Sequence, residues 1–302
     1  MASTPIATVL ESTLTRSRKK LILASIKSNA LMAWAFANNR VNPNITSFEY
    51  YDEQPVAQTS EFDTVTYNWA RVAGSVVISD QEEDENQGAA QIFKLMKAKI
   101  DVLEESIKEK FSEYLYASGA GTDPQGLGLL VPDDPTTGTV GNINRANETQ
   151  WRTSAYDFNG NLDSTNIEEA FDDILMDLTL KGDKPDVILT GRNLFRHYRT
   201  AVRDKVVINL SESNSGKKMM DLGFAGVKHQ NIPMLYDEDC PVNKAFFINS
   251  KYLRLHILKH VNMKVKELVA PWTIDAHGRR IVWQGQWCLW KAFRTHAVLI
   301  NS

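Results

Sequence analysis

Cysteine is scarce in this chain, and several other common sequence signals are absent. Cys240 and Cys288 are the only two cysteines and lack C-x-x-C spacing. They therefore predict neither a disulfide framework nor a thiolate metal site, and they suit a reducing cytoplasm. No run of 18 apolar residues occurs, so no membrane span is predicted. The N-terminal residues lack a basic-then-apolar signal layout, so secretion is not expected.

An excess of positive charge is also lacking, because the formal net charge is −3 over 302 residues. A dedicated nucleic-acid binder usually carries a basic excess or a dense basic stripe. The dense basic clusters are confined to residues 16–20, 217–218 and 279–280. Each of them is better interpreted as solvated or subunit-contact charge than as a phosphate site.

Catalytic and ligand-binding motifs are missing too. Residues 211–218 resemble a P-loop but lack its first glycine and place Lys218 where Ser or Thr is required. No G-x-G-x-x-G or G-x-S-x-G segment occurs. Residues 157–168 have the oxygen spacing of a calcium loop, but Leu162 occupies its glycine position. We therefore predict no catalytic, cofactor-binding or metal-binding residue, and we expect the protein not to be an enzyme.

The strongest positive signal is an amphipathic helix over residues 80–118. Apolar side chains recur at steps of three and four, which predicts one continuous stripe. A helix of that length spans roughly 55–60 Å at about 1.5 Å per residue. Such a helix suits a strut, although a long core helix of an ordinary bundle fits the same pattern. The stripe comprises Ile92, Met96, Ile100, Leu103, Ile107, Phe111, Tyr114 and Leu115.

A long β-hairpin is predicted over residues 46–79, with its turn near residues 59–61. Val65, Tyr67 and Trp69 alternate with polar residues and share one face of the second strand. An isolated two-stranded hairpin is only marginally stable in water, so something else must cover it. A neighbouring copy of the chain is the favoured cover, and burial on the same subunit is the alternative. Before the hairpin, residues 21–36 are compatible with a short apolar helix.

The remainder of the chain indicates an α+β fold. Helices are predicted near residues 165–178 and 193–202, on either side of a buried strand at 185–190. From residue 223 onward the pattern is mainly β, with a hairpin tip at residues 275–278, where Gly278 permits a turn.

Three segments, in this order, carry a resemblance to a known family. They are Ala73–Gln81 (AGSVVISDQ), Ser118–Leu127 (SGAGTDPQGL) and Lys184–Leu189 (KPDVIL). The chain resembles the major capsid proteins of tailed bacteriophages, which have the Hong Kong 97-type fold. The first segment is similar to the descent of the family's E-loop into its spine helix. The second is similar to its G-x-G-T-x-x-x-G-L turn, and the third to its A-domain strand.

The resemblance implies a division into domains. Residues 1–45 would form an N-terminal arm, and residues 46–79 the E-loop β-hairpin. A P-domain would comprise residues 80–150, with the spine helix at 80–118, and a hairpin at 259–289. The A-domain would comprise residues 151–258 and a last strand at 290–302.

The resemblance also implies a function and partners. Family members assemble as pentamers and hexamers into an icosahedral shell around double-stranded DNA, which is contacted nonspecifically. The expected location is the virion capsid, with the host cytoplasm during assembly. A portal and, in some members, a decoration protein would be further partners, and no cofactor is implied. The alternatives are a bacterial nanocompartment (encapsulin-like) shell protein and, less favoured, a soluble α+β enzyme.

Two departures from the family and two contact regions complete these expectations. Residues 41–93 contain no lysine, so the E-loop lysine cross-link of some members is not expected. Fewer than 50 residues precede the E-loop, which leads us to expect a separate scaffolding protein or a removed N-terminal stretch. Val65, Tyr67 and Trp69 are candidate anchors on a neighbouring subunit. Asp275, His277 and Arg279, at the late hairpin tip, are candidate contacts around local three-fold axes.

Overall fold

The computed structural model describes residues 33–37, 44–53, 63–79, 81–82, 89–180, 182–205, 227–268, 276–289 and 293–302. These residues divide between two compact units. The first unit includes Asn68–Leu130 and Leu255–Trp287, and the second includes Leu31–Tyr67, Val131–Arg254 and Cys288–Ser302.

The described helices and strands are short apart from one helix and two strands. The helices are α1 (Ala89–Tyr116), α2 (Leu127–Leu130), α3 (Ile167–Leu178) and α4 (Arg192–Lys205). The strands are β1 (Ala33–Ala37), β2 (Asp63–Thr66), β3 (Ala70–Ser79), β4 (Thr139–Val140), β5 (Ile143–Asn144), β6 (Ser154–Asp157), β7 (Val187–Thr190), β8 (Lys228–His229), β9 (Ile232–Tyr236), β10 (Lys244–Ile248), β11 (Leu253–Ile257), β12 (Lys264–Leu268), β13 (Ala276–Leu289) and β14 (Ala297–Ile300).

The first unit packs α1 against a sheet. Helix α1 has 28 residues and is about 42 Å long at about 1.5 Å per residue. Its apolar stripe meets β3, where Leu103 and Ile107 lie over Gly74. The Phe111 and Trp283 rings meet edge-on, with centroids 4.6 Å apart. The part of the predicted stripe from Ile100 to Leu115 is therefore confirmed as buried or half-buried, and the side chains of Ile92 and Met96 are not described.

The sheet of the first unit is organised around β13. The strand order is β11-β13-β12, and β3 pairs with the other side of β13. The β3–β13 ladder is antiparallel and runs from Ala276 opposite Ser79 to Gly285 opposite Ala70. Along β3, alternate residues from Ala70 to Ile78 are buried or half-buried, and those between them are exposed. One face of β3 therefore packs against α1, and the β3 side chains on the other face are exposed.

The second unit is a mixed six-stranded sheet with two packed helices. Its strand order is β6-β14-β10-β7-β9-β8. Strand β7 lies inside the sheet and is buried along its whole length, as a continuous apolar run predicts. Helix α3 buries Ile167, Phe171 and Ile174, which recur at steps of three and four, against the core that the sheet provides.

Strand pairing differs from the predicted hairpin. β2 pairs with β1 in an antiparallel ribbon, so its partner lies upstream of the predicted start at residue 46. β3 pairs with β13, and among the described residues 46–53 it has no partner. The end of the suggested apolar helix at 21–36 is strand β1, and residues 21–32 lie outside the described residues. Alternation along a strand predicts its faces, but it does not predict a partner that is distant in the chain.

The ends of two other elements also differ from the prediction. Helix α1 begins at Ala89; Gln81 and Glu82 are helical, and residues 80 and 83–88 lie outside the described residues. The predicted hairpin tip at 275–278 is wrong for residues 276–278, which belong to β13. There Gly278 pairs with Val77 and Leu268. A Cβ at Gly278 would lie 2.3 Å from the Val76 carbonyl oxygen, so this glycine permits close backbone approach and does not form a turn.

Candidate assembly surfaces

The root of the β1–β2 ribbon is fixed inside the second unit. Val65 and Tyr67 are 1% and 8% exposed. The Tyr67 hydroxyl donates a hydrogen bond to the Leu289 carbonyl oxygen at 2.6 Å and accepts one from the Leu289 N–H at 3.3 Å. The Thr66 N–H donates to the Gly141 carbonyl oxygen at 3.1 Å. The ribbon is thus held by buried hydrogen bonds that connect segments distant in the chain.

The short hairpin β4–β5 provides the surface that receives this root. Gly141, at its turn, has φ +60, and a Cβ there would lie 2.0 Å from Val65 Cγ1. Trp151 is held against this hairpin, because its Nε1–H donates to the Val140 carbonyl oxygen at 3.0 Å. The Trp151 ring also contacts Phe293 at 3.8 Å between centroids. We call this site the root pocket; it comprises Val65, Tyr67, Gly141, Trp151 and Phe293.

Burial shifts the pKa values of three polar groups around the root pocket. Burial raises the pKa of the Tyr67 hydroxyl well above its ordinary value, and the nearby Cys288 thiol raises it further. Burial also raises the pKa of that thiol. Burial lowers the pKa of Arg145 to about 10, so the guanidinium remains protonated at neutral pH although it is 1% exposed. Neutral phenol and thiol groups make this a structural pocket and not a nucleophilic site.

The six predicted contact residues fall into different environments. Val65 and Tyr67 are buried in their own chain, which is the alternative given for them above. Their apolar face is therefore already covered within the subunit. Trp69 is half-buried, and Arg279 is exposed. Asp275 lies outside the described residues, and the side chain of His277 is likewise not described.

An exposed group of apolar side chains lies in a segment that the sequence analysis did not single out. We call residues 44–53 the aromatic segment. Tyr50 and Tyr51 are each 96% exposed, and Ile45 and Phe48 are 79% and 59% exposed. The segment turns at residues 49–52, where the Asp52 N–H donates to the Glu49 carbonyl oxygen at 3.1 Å. Four large apolar side chains in a run of ten form the kind of exposed patch that marks an interaction site.

The aromatic segment was missed because it lacks a regular period. Its sequence, NITSFEYYDE, mixes aromatic and acidic residues without helical or strand alternation. The sequence signal that could have identified it is the group of aromatic residues next to carboxylates, because interface cores favour tyrosine and phenylalanine.

A second polar arrangement is centred on His229, which contacts Tyr198 and Asp172. The Tyr198 hydroxyl lies 2.8 Å from His229 Nδ1, and Asp172 Oδ1 lies 3.0 Å from His229 Nε2. Burial lowers the pKa of His229, although Asp172 and Glu168 oppose that effect. Burial also raises the pKa of Tyr198 to about 12, so the phenol is not an activated nucleophile. The arrangement joins α3, α4 and β8, and it is best explained as a packing contact.

Among the described residues, no group of three or more His, Cys, Asp or Glu side chains could hold a metal ion. None of the helices in those residues is both long and apolar enough to cross a bilayer.

Solved structures with the same fold come from tailed phages and their relatives. The capsid asymmetric unit of cyanophage A-1(L) matches with a TM-score of 0.66 at 16% identity, covering 95% of this chain and 93% of the other. A Mycobacterium phage Che8 structure matches with a TM-score of 0.54 at 10% identity, covering 99% and 92%. The satellite phage P4 procapsid matches with a TM-score of 0.50 at 8% identity, covering 98% of each chain.

The chain has the Hong Kong 97-type capsid fold. No family model and no curated protein matches its sequence. At these identities the likeness defines the fold, and the predicted α+β capsid fold is confirmed at that level. Two described parts of this chain have opposite environments. Val65 and Tyr67 of the root pocket are buried in their own subunit, whereas Tyr50 and Tyr51 of the aromatic segment are exposed.

Proposed function

We propose that this protein is the major capsid protein of a tailed bacteriophage. Copies of it would assemble as pentamers and hexamers into an icosahedral shell around double-stranded DNA. The observation that carries the proposal is the likeness to the cyanophage A-1(L) capsid asymmetric unit, which extends over 95% of this chain. A likeness of that extent leaves little of the chain to form a separate catalytic domain, so we propose a structural role and no enzymatic one.

The exposed aromatic segment supports assembly on physical grounds. Burying Ile45 and Phe48 against another copy would contribute about 1.5–3 kcal/mol for each side chain, before the costs of association. Tyr50 and Tyr51 add large rings that lose few rotatable bonds on binding. In the single chain these rings face solvent. Apolar surface of this kind favours association between copies.

The domain names follow the same proposal. The E-loop would comprise residues 46–79, and the P-domain residues 80–150 and 259–289. The A-domain would comprise residues 151–258 and 290–302, after an N-terminal arm at 1–45. Trp69, Asp275, His277 and Arg279 remain proposed contact residues. A scaffolding protein, a portal and a decoration protein are proposed partners.

Shell cohesion in this proposal is noncovalent. Residues 41–93 contain no lysine that could be joined to a neighbouring asparagine. Neighbouring copies would instead be held by apolar burial and by charge. Such a shell is expected to separate into subunits in strong denaturant without a ladder of covalent oligomers on a denaturing gel.

Electron microscopy of the purified, full-length chain tests the proposal directly. We expect closed particles or ring-shaped capsomers at micromolar concentration, and particles from infected cells should contain double-stranded DNA. A chain that stays monomeric at every concentration and salt tested would overturn the shell role. Closed particles that enclose protein cargo and no genome would instead support the nanocompartment alternative.

A further inference from the structure

Helix α4 carries a row of arginines on its exposed side. Four arginines in this helix recur at steps of four, three and four residues. At about 100° per residue, they fall within an arc of about 60°. That arc lies on the side of the helix away from its buried residues, such as Leu194 and Tyr198. We call this surface the arginine stripe; it comprises Arg192, Arg196, Arg199 and Arg203.

The arginine stripe is exposed and is not neutralised by neighbouring side chains. Within the described part of the chain, no ion pair joins any of its four guanidinium groups to a carboxylate. Among residues 192–203, Thr200 is the only other exposed side chain. Helix α4 contains five Arg and Lys residues and one Asp, whereas the whole chain has a formal net charge of −3. The stripe is therefore a local concentration of positive charge that the overall composition does not reveal.

The arginine stripe does not stabilise the helix that carries it. Arg192 lies in the first turn, where the helix dipole disfavours positive charge. Successive members of the stripe are three or four residues apart, and like charges at that spacing weaken a helix. Of the four, only Arg203 in the last turn has the sign that the dipole favours. A surface that weakens its own helix is better explained by an anionic partner than by folding.

The character of the surface favours nucleic acid over protein as that partner. Protein interfaces have an apolar core, and no large apolar side chain is exposed on the described residues of α4. Interfaces with DNA are more polar and much more positively charged. All four cations of the stripe are arginines, and a guanidinium group can bind phosphate through two parallel hydrogen bonds, which an ammonium group does not.

The length of the arginine stripe suits the backbone of a duplex. Arg192 and Arg203 are 11 positions apart in the helix, so the stripe is about 16 Å long at about 1.5 Å per residue. Duplex DNA carries one negative charge per about 1.7 Å of its axis, so a segment of that length presents roughly ten phosphates. Four guanidinium groups in one row can therefore each meet a phosphate without contacting a base.

We propose that the arginine stripe of α4 binds the phosphate backbone of double-stranded DNA. The inference rests on the proposed function and names the surface of the subunit that contacts the enclosed genome. Backbone contacts carry no sequence information directly, so duplexes of different sequence should bind equally well. The competing anionic partner is the outer side of α3 in a second copy, where Glu169 and Asp173 are exposed.

The salt dependence of DNA binding tests the inference. The unassembled, full-length chain is titrated against a fluorescein-labelled duplex of about 20 base pairs, and fluorescence anisotropy gives the association constant at several NaCl concentrations. Each phosphate that a cation neutralises contributes about 0.9 to the slope of log K against log salt concentration. R196Q/R199Q should therefore reduce that slope by about 1.8 and weaken binding at least about ten-fold at about 0.1 M salt.

Three comparisons separate the stripe from net charge and from folding. K264Q/K266Q removes two exposed positive charges from β12 of the first unit, and its salt slope should equal that of the wild type. R196K/R199K keeps the charge, so it should keep the slope while binding more weakly, because the bidentate geometry is lost. The Tm of R196Q/R199Q should not fall, because the substitution removes repulsion between like charges.

Chemical modification of the wild-type chain locates the contact without a substitution. Phenylglyoxal reacts with exposed guanidinium groups, and mass spectrometry measures the modified fraction of each arginine. An excess of the duplex should protect Arg196 and Arg199. Arg279 is exposed in the first unit, so it should react equally with and without DNA.

Each outcome decides the inference. A reduced slope for R196Q/R199Q but not for K264Q/K266Q, together with protection of the stripe, supports it. Equal slopes for the wild type and R196Q/R199Q would overturn it and leave the shell role intact. If R196E/R199E assembles poorly and adding E169R/D173R restores assembly, the stripe binds α3 of a second copy and the inference is wrong. Because the binding assay uses the unassembled chain, failure of the wild type to form particles would count against the proposed function alone.

Discussion

Substituting Gly141 by alanine should detach the root of the ribbon. Gly141 has φ +60, and a left-handed conformation costs a non-glycine residue about 1–2 kcal/mol. Its new Cβ would also lie 2.0 Å from Val65 Cγ1, and Val65 is β-branched and 1% exposed. Overpacking of that kind costs about 1–3 kcal/mol. Together the two effects predict a loss of roughly 2–5 kcal/mol in the free energy of unfolding.

Gly138, directly before strand β4 of the same hairpin, offers a matched control. Its φ is +88, and a Cβ there would meet nothing within 4 Å. The backbone strain of G138A should be at least as large as that of G141A, because +88 lies farther from the left-handed minimum near +57. Any excess destabilisation of G141A therefore measures the collision with Val65. At about 2–4 °C per kcal/mol, the excess is expected to lower Tm by roughly 2–12 °C.

Two readouts locate the effect in the root pocket. Thermal unfolding of the unassembled subunit gives the difference in Tm. Hydrogen exchange should show faster exchange of the Thr66 N–H, which bonds to the Gly141 carbonyl oxygen. Adding V65A to G141A should recover part of the loss by making room for the new methyl group. Equal Tm values for G138A and G141A, with Thr66 protection unchanged, would refute the root pocket.

Three further predictions concern the aromatic segment, Gly278 in the sheet of the first unit, and the buried His229. Replacing Phe48, Tyr50 and Tyr51 by serine should prevent shell closure in electron micrographs, while unfolding stays within about 0.5 kcal/mol because these side chains are exposed. Changing Gly278 to alanine should lower the free energy of unfolding by about 3 kcal/mol or more, because the new methyl group would lie 2.3 Å from the Val76 carbonyl oxygen. A denaturant titration measures this loss, and an unchanged stability would instead support the predicted turn at residues 275–278. Burial lowers the pKa of His229, so the unfolded chain takes up its proton first and stability should fall below about pH 6.5. H229Q should flatten that slope, and an unchanged slope would contradict it.

The structure also refines a deletion experiment that the sequence suggests. The predicted hairpin implies that removing residues 56–69 leaves a soluble subunit that fails to close shells. Because Val65 and Tyr67 fill the root pocket, that deletion would also remove buried contacts and destabilise the second unit. Loss of assembly would then have two causes. The triple serine variant separates them, since it leaves the root pocket intact.

The parts of the fold that local periodicity determines were predicted well. The apolar stripe that includes Leu103 and Ile107 identified α1, and the continuous apolar run at 187–190 identified the buried strand β7. Strand partners were not predicted, because pairing depends on contacts between residues far apart in sequence. β2 pairs about 30 residues upstream, and β3 pairs with residues about 200 positions downstream.

The candidate surfaces were harder to predict than the fold. Alternation at Val65 and Tyr67 indicates an apolar face, but it does not say whether that face is covered by the same chain or by another copy. Burial and the hydrogen bonds to Leu289 decide for the same chain. Tyr50 and Tyr51 have the opposite environment, although their sequence surroundings show no regular pattern. Exposure depends on tertiary structure, so it is not available from periodicity.

The buried root pocket and the exposed aromatic segment have separable roles. In the β1–β2 ladder Ala37 is opposite Asp63, so the chain leaves and re-enters the ribbon at adjacent points. The loop that contains the aromatic segment therefore begins and ends at neighbouring residues of the ribbon. A contact surface whose ends are already fixed loses less conformational entropy on binding than a free tail does. Substitutions in the root pocket should consequently weaken both folding and assembly, whereas substitutions in the aromatic segment should weaken assembly alone. If root-pocket variants and aromatic-segment variants changed stability and assembly to the same extent, the two parts would act as one unit.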